Sequence, residues 1–209
     1  MLLIDPHPLL DLHAFVTEWD PPLGDHPRCD WLHELVVHDS VSLGFSAPND
    51  VHKAAVRDLL RHGGFKPSGR GKPCWEYMRA MTDKGRFPEI NVAVDATNLA
   101  ALHGALPVST VDADRLQGSL RVHIADPGSS YVFNASGQEI DLSGLLCLLD
   151  EEGPCANAVK DAQRTKTHEG TRRTLTVVWS TLELPERGRR VADWQMGLHE
   201  RLGGRCERV

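Results

Sequence analysis

The chain has 209 residues, of which 41% are hydrophobic and 25% charged. That composition suits one sizeable core or two small domains and excludes a disordered or fibrous chain. No run approaches the eighteen apolar residues of a membrane helix, and Asp5 and Pro6 interrupt the start before a signal-peptide core could form, so the expectation is a cytoplasmic protein with no membrane partner.

The net charge of -6 conceals a segregation. Met1 to Asp50 holds nine acidic residues against the single basic Arg28, a balance of -8, whereas Lys53 to Arg86 holds nine basic against three acidic, a balance of +6. Such a basic middle can bind a polyanion locally, or the two segments can neutralise each other across an interface. The five cysteines, Cys29, Cys74, Cys147, Cys155 and Cys206, are an odd number with no Cys-x-x-Cys pair, which fits reduced thiols better than a disulfide frame or a zinc site.

Taken in order, Leu9 to Trp19 shows a helical hint, with Leu10, His13, Ala14 and Val16 roughly on one face. Leu35-Val36-Val37 and Val41 to Phe45 read as a strand pair. The clearest helix follows, capped by Asn49 or Asp50, striped by Val51, Ala55 and Leu59 and stopped by Gly63-Gly64. Phe65 to Pro73 is a basic loop in which Gly71-Lys72 lacks the rest of a phosphate loop: Lys66 stands where the first Gly is required and Pro73 where Ser or Thr is. Pro73 suits the first turn of a helix from Cys74 to about Thr82. Thr97 or Asn98 can cap a short helix ended by Gly104.

The remainder reads as strands and turns. Leu120 to Ile124 and Tyr131 to Phe133 form an expected hairpin across Asp126-Pro127-Gly128, and Asn134 to Gln138 is a further turn. Leu145 to Leu149 and Cys155 to Val159 flank the acidic turn Asp150 to Pro154. Thr174 to Trp179 alternates as a strand, and an amphipathic helix covers Val191 to Leu202. No repeat or linker marks a boundary, so the reading is one α+β domain over 1–209.

One stretch stands apart. Lys160-Asp161-Ala162-Gln163-Arg164-Thr165-Lys166-Thr167 packs seven charged or polar side chains into eight residues with no large apolar one. It buries almost nothing, so it is either a solvated connection or the contact surface for a polar, anionic ligand.

The order of segments then resembles a known family. Pro88 to Leu99, Leu106-Pro107-Val108 and Asp112 to Leu116 resemble the B3/4 domain of the bacterial phenylalanyl-tRNA synthetase beta subunit. Gly69 to Pro73, Asn134 to Gln138 and the Val159 to Thr167 run resemble free-standing copies of that domain. The resemblance covers about residues 65–180; the first fifty are read as an acidic extension packed on it. It implies a mixed-sheet α+β sandwich with peripheral helices. It also implies hydrolysis of the ester of a mis-attached amino acid on tRNA, with Thr97 and Asn98 on the wall of the aminoacyl pocket. Ser109 stands where the synthetase domain commonly has a histidine.

An aminoacyl ester is already activated, so its hydrolysis needs a positioned water and donors for the developing oxyanion, and neither metal nor cofactor. Lys160, Asp161, Asn98 and Thr97 are therefore the candidate catalytic residues. Ser109, Gln138, Gln163, Arg164, Thr165 and Lys166 are candidates for holding the substrate. Arg57, Arg61, Lys66, Arg70 and Lys72 would grip the acceptor backbone of an aminoacylated tRNA, the expected partner. Thr97 and Asn98 could equally be caps, and Asn134 and Gln138 turn residues.

Overall fold

The computed structural model describes residues 2–209. Two strands open the chain, β1 (Leu2–Ile4) and β2 (Leu10–Glu18). Helices α1 (Asp30–Glu34), α2 (Asp50–Arg61), α3 (Cys74–Thr82) and α4 (Val92–Gly104) follow. Strands β3 (Val108–Asp112), β4 (Leu120–Ile124), β5 (Ser130–Val132), β6 (Glu139–Asp141), β7 (Leu146–Asp150), β8 (Gly153–Asn157) and β9 (Arg173–Thr181) come next, then α5 (Arg187–Arg201) and β10 (Arg205–Arg208).

The strands make two four-stranded sheets, ordered β1-β4-β7-β8 and β10-β2-β9-β3, and a separate β5-β6 hairpin. All pairings are antiparallel except β1 with β4. One core lies between the sheets, with Val122, Leu146, Leu148 and Cys155 facing Val111, Leu175, Val177 and Trp179. A second lies on the far face of β2-β9-β3, where Phe15, Val108 and Val178 meet Val56 of α2, Ala100 and Ala101 of α4 and Val191 and Ala192 of α5. Strand β9 is thus covered on both sides, which its alternation of Leu, Val and Trp with buried Thr174 and Thr176 allows. Among the described residues no helix is long and apolar enough to cross a membrane. The α+β sandwich with helices on one face is the architecture expected.

Several elements match the sequence reading closely. Asn49 caps α2, its side chain accepting from the His52 N–H at 2.9 Å. Pro73 directly precedes α3, and the acidic turn joins β7 to β8. Others differ. Leu9 to Trp19 is strand, not helix: Leu10, Leu12 and Val16 pack with Ala14 on the inter-sheet core while Phe15 faces the helices, a period of two that the spacing of Leu10, His13 and Ala14 disguised. This strand pairs with β9 along its whole length, so the acidic first fifty residues supply an interior strand of the second sheet.

Leu35 to Val37 is a 3-10 turn continuing α1, and Val41 to Gly44 is a turn closed by the Phe45 N–H on the Ser40 carbonyl. Val37 and Val41 are 87% and 57% exposed, so pairing them as strands would bury nothing. The hairpin expected between residues 120 and 133 does not form; β4 pairs with β1 and β7, and Tyr131 pairs with Ile140. Helix α4 begins at Val92, well before Thr97, and is capped by Asn91, whose side chain accepts from the Val94 N–H at 3.0 Å. Thr97 and Asn98 are therefore mid-helix wall residues and not caps.

Candidate functional site

The Asn157 to Asp161 turn leaves the end of β8 and is held by an unusually complete set of bonds. The Asn157 side-chain oxygen accepts from the Val159 and Lys160 N–H groups at 2.8 and 2.9 Å, and the Asn157 N–H donates to the Asp161 carboxylate at 3.3 Å. The Tyr131 hydroxyl, on β5, donates to the Lys160 carbonyl and accepts from the Asn157 amide. With its backbone pinned, the turn presents Lys160 and Asp161 toward α3 and α4.

They meet Thr97 and Asn98 there. A cavity of about 140 Å³ is lined by Thr97, Asn98, Lys160 and Asp161 together with apolar Met78, Val108 and Val159. An engineered cavity of about 150 Å³ holds benzene, so this one is sized for a single side chain. Burial raises the Asp161 carboxyl to about 7, against the opposing Ser109 hydroxyl, the Asn157 N–H and the Lys166 charge. As a residue Asp161 keeps partial exposure, because it lines a cavity that is open on one side. Burial lowers the Lys160 ammonium, reinforced by the neighbouring Arg70 and Lys166 charges, and its Nζ sits 4.0 Å from the centre of the Phe133 ring.

Lys160 is shared with a second, more open space. A groove of about 770 Å³ runs between the basic loop and the β5-β6 hairpin, bordered by Lys66, Arg70, Phe65, Phe133, Gln138 and Lys160. Lys66, Arg70 and Lys72 are exposed and, among the described residues, form no ion pair, whereas Arg57 is held by Glu76 through two bonds of 2.7 Å and Arg61 by Asp58 at 2.6 Å. No ion pair joins the acidic N-terminal segment to the basic one among the described residues. Asp5 goes to Arg121 and His123, Glu18 to Arg205 and Asp20 to Arg172. The loop cations therefore stay available to an external anion.

The Lys160 to Thr167 run divides. Arg164 turns away from the cavity to make a two-pronged pair with Asp150, at 2.8 and 2.6 Å, and also caps the Gly153 carbonyl. The Thr165 hydroxyl is fully buried and donates to the Cys155 carbonyl at 3.1 Å. Lys166 donates to the Phe133 carbonyl at 2.6 Å, close enough for Asp161 to act on its charge, and Gln163 begins a short 3-10 turn, half-buried. Ser109 is buried, donating to the Asn157 carbonyl and accepting from the Trp179 indole, both at 3.0 Å, and its hydroxyl also lies close enough to Asp161 to favour that carboxyl's charge. The Gln138 side chain accepts from Asn134 at 2.9 Å within its hairpin turn, on the rim of the groove.

Thr97 is similarly committed. Its hydroxyl meets the Ala93 carbonyl, Thr110 and the Gln195 amide at 2.8, 2.6 and 2.9 Å. Asn98, half-buried one position further along α4, carries no such commitment among the described residues. The residues that the sequence reading missed are Tyr131 and Asn157, which lie on separate strands and act only through the turn they hold. Asn157, two residues beyond Cys155 and three before Lys160, had a local signal in its Asx-turn spacing; Tyr131 had none.

Nucleophilic sulfur is absent from this chemistry. Burial pushes the Cys74 thiol, which lines the cavity, up to about 12, and does the same for Cys147. Among the described residues no group of three or more His, Cys, Asp or Glu is placed to hold a metal ion. A further cleft of about 420 Å³ at the start of α4 has its inner charges paired, Arg28 with Glu89 at 2.9 Å and His33 with Asp95 at 3.3 Å, with the exposed Glu169 on its border.

Residues 69–187 match the family model described as the B3/4 domain, more than half of the chain. The phenylalanine–tRNA ligase beta subunit of Bartonella henselae is 31% identical over 104 residues, 48% of this chain and 13% of that subunit. The chain thus spans a small part of that relative's length. The crystal structure of an N-terminal fragment of the phenylalanyl-tRNA synthetase beta subunit from Pyrococcus horikoshii superposes over 98% of this chain and 49% of the fragment, with a TM-score of 0.53 and 10% identity, a likeness of fold alone.

Proposed function

The chain belongs to the B3/4 domain family, and from that premise we propose that it hydrolyses the ester of a mis-attached amino acid on tRNA, acting on tRNA charged by a separate enzyme. The observation that carries this reading is the convergence of Asp161, Lys160 and Asn98 on one side-chain-sized cavity whose Lys160 wall borders the groove under the unpaired basic loop. The aminoacyl side chain would enter the cavity, and the terminal nucleotide would lie along the groove toward Lys66, Arg70 and Lys72.

In this mechanism the Asp161 carboxylate takes a proton from water as that water attacks the ester carbonyl. The Lys160 ammonium and Asn98 amide donate to the oxyanion that forms, and the tetrahedral intermediate collapses as the proton on Asp161 passes to the leaving ribose oxygen, which departs as the hydroxyl and restores the carboxylate. A carboxyl at about 7 is matched to general-base work near neutrality. Burial of the donors in a small cavity strengthens their action on the developing charge. Ser109, Tyr131, Asn157 and Thr97 hold the geometry, and Lys166 lies close enough to stabilise the ionised Asp161.

The direct test is a panel of mischarged tRNAs, with deacylation measured against the uncatalysed rate. Acceleration for at least one amino acid and tRNA pair is expected, and none for any pair would sink the hydrolase reading. Replacing Lys66, Arg70 and Lys72 together with Ala is expected to weaken tRNA binding and to reduce the slope of log affinity against log salt by about two to three units. An unchanged slope would place the tRNA elsewhere. Salt-dependent tRNA binding without turnover would identify a binding module.

A further inference from the structure

A second polar pocket lies away from the aminoacyl cavity, where α3 and α4 end against residues 36–40. Its volume is about 210 Å³, and its polar lining comprises His38, Asp39, Ser40, Arg79, Thr82 and His103. Two of these have no side-chain partner within the protein, among the described residues. The Thr82 hydroxyl oxygen is buried with no hydrogen-bond partner. Arg79 is half-buried and, among the described residues, its guanidinium meets no carboxylate within ion-pair distance. A guanidinium has five donors and no acceptor, and buried polar groups are otherwise almost always satisfied.

The remaining groups explain what the pocket is short of. The His103 Nε2 lies 3.0 Å from the Leu35 carbonyl, which can only accept, so that nitrogen carries the proton; Nδ1 then accepts from the Ser40 hydroxyl at 3.1 Å. Burial lowers the His103 imidazole, which keeps it in this neutral form. Ser40 and His103 thus satisfy each other and offer nothing further. The helix-end carbonyls are also spent, Arg79 on the Asp83 N–H at 2.9 Å and Thr82 on the Gly85 N–H at 2.8 Å. The Arg79 guanidinium and the Thr82 hydroxyl remain as donors, beside the His38 imidazole and the Asp39 carboxylate. Asp39 lines the same pocket but is exposed, where solvent screens its charge. Beyond α3 the exposed Lys84 and Arg86 outweigh the exposed Asp83, and among the described residues none of the three forms an ion pair.

We propose that this pocket seats a phosphate group, with Arg79 as its paired donor and the Thr82 hydroxyl as its third hydrogen bond. Arg is the residue suited to such two-pronged recognition. The site is independent of the deacylase reading but shares α3 with it, since Cys74 and Met78 line the aminoacyl cavity. A bound phosphate would tie that helix to residues 36–40.

Calorimetric titration of inorganic phosphate at constant ionic strength tests the assignment on the wild type, Arg79→Met and Thr82→Val. Saturable binding is expected in the wild type, about tenfold or more weaker in Arg79→Met and a few-fold weaker in Thr82→Val. Because Thr82→Val removes an unpartnered hydroxyl, its melting temperature in phosphate-free buffer should equal or exceed that of the wild type, so its weaker binding cannot come from unfolding. No saturable heat in the wild type, equal affinity in both variants, or acetate binding as tightly as phosphate would overturn the proposal. A short single-stranded RNA that displaces phosphate identifies the nucleic-acid backbone as its source; phosphate binding unaffected by RNA identifies a free phosphate or phosphomonoester.

Discussion

Replacing Asp161 with Asn is expected to lower deacylation by about 10²–10⁴-fold, the contribution of a positioned general base, while making the protein more stable at alkaline pH. The two effects have one origin. The folded carboxyl titrates near 7 against an ordinary value of 3.8, because burial disfavours its charge. Between those values the folded chain binds more protons than the unfolded one, so stability falls as pH rises through that window and stays reduced above it. A shift of this size corresponds to about 4 kcal/mol at pH 8. The Asn variant carries no charge and escapes that loss, yet its side-chain oxygen can still accept from the Asn157 N–H. Thermal melts should therefore show Asp161→Asn above the wild type at pH 8 and level with it near pH 4. The wild-type rate should climb with pH through a midpoint near 7. Equal melting at both pH values would remove the buried carboxylate from the account, and full activity in the variant would remove the base.

Arg164→Met is expected to do the opposite, costing about 3–5 kcal/mol of stability while sparing the chemistry. Asp150 has a side chain with 0% exposure and is held ionised by Arg164 together with the Gln117 and Glu152 N–H groups; burial works against its charge, but these partners prevail and its carboxyl lies below the usual range. Removing the guanidinium strands that charge. For a domain of this size the melting temperature should drop by roughly 6–15 °C. Because the folded Asp150 value is depressed, the pair stabilises above the ordinary carboxylate range and its contribution is lost as pH falls through it. Hence the gap between variant and wild type should narrow in acid. At a temperature where both are folded, the variant should deacylate at a rate within a few-fold of the wild type. A stable but inactive Arg164→Met would return Arg164 to the substrate.

These two residues sit three positions apart in one charged run, and that spacing shows where sequence reading stops. Composition identified Lys160 to Thr167 as a segment with no apolar content to bury. Composition does not show that Arg164 answers to Asp150 across the β7-β8 turn, that the Thr165 hydroxyl is spent on Cys155, or that only Lys160 and Asp161 open into the cavity. The same holds for charge. The basic middle was visible by counting, but Arg57 and Arg61 are neutralised inside that segment by Glu76 and Asp58, leaving the cations of the loop together with Arg79, Lys84 and Arg86.

By itself the sequence determined the elements whose signals are local: α2 between Asn49 and Gly63, α3 behind Pro73, the acidic turn between β7 and β8, and the order of segments that marks the family. Caps, prolines and turns act over a few residues, so their physics is written in adjacent positions. Tertiary structure alone decided that Leu10 to Glu18 is an interior strand, that Thr97 belongs to a hydroxyl network with Thr110 and Thr176, and that Tyr131 locks a turn carried by another sheet. Strand pairing, burial and the partner of a buried polar group depend on residues brought together from distant parts of the chain, and the environment that raises Asp161 to about 7 exists only after they meet.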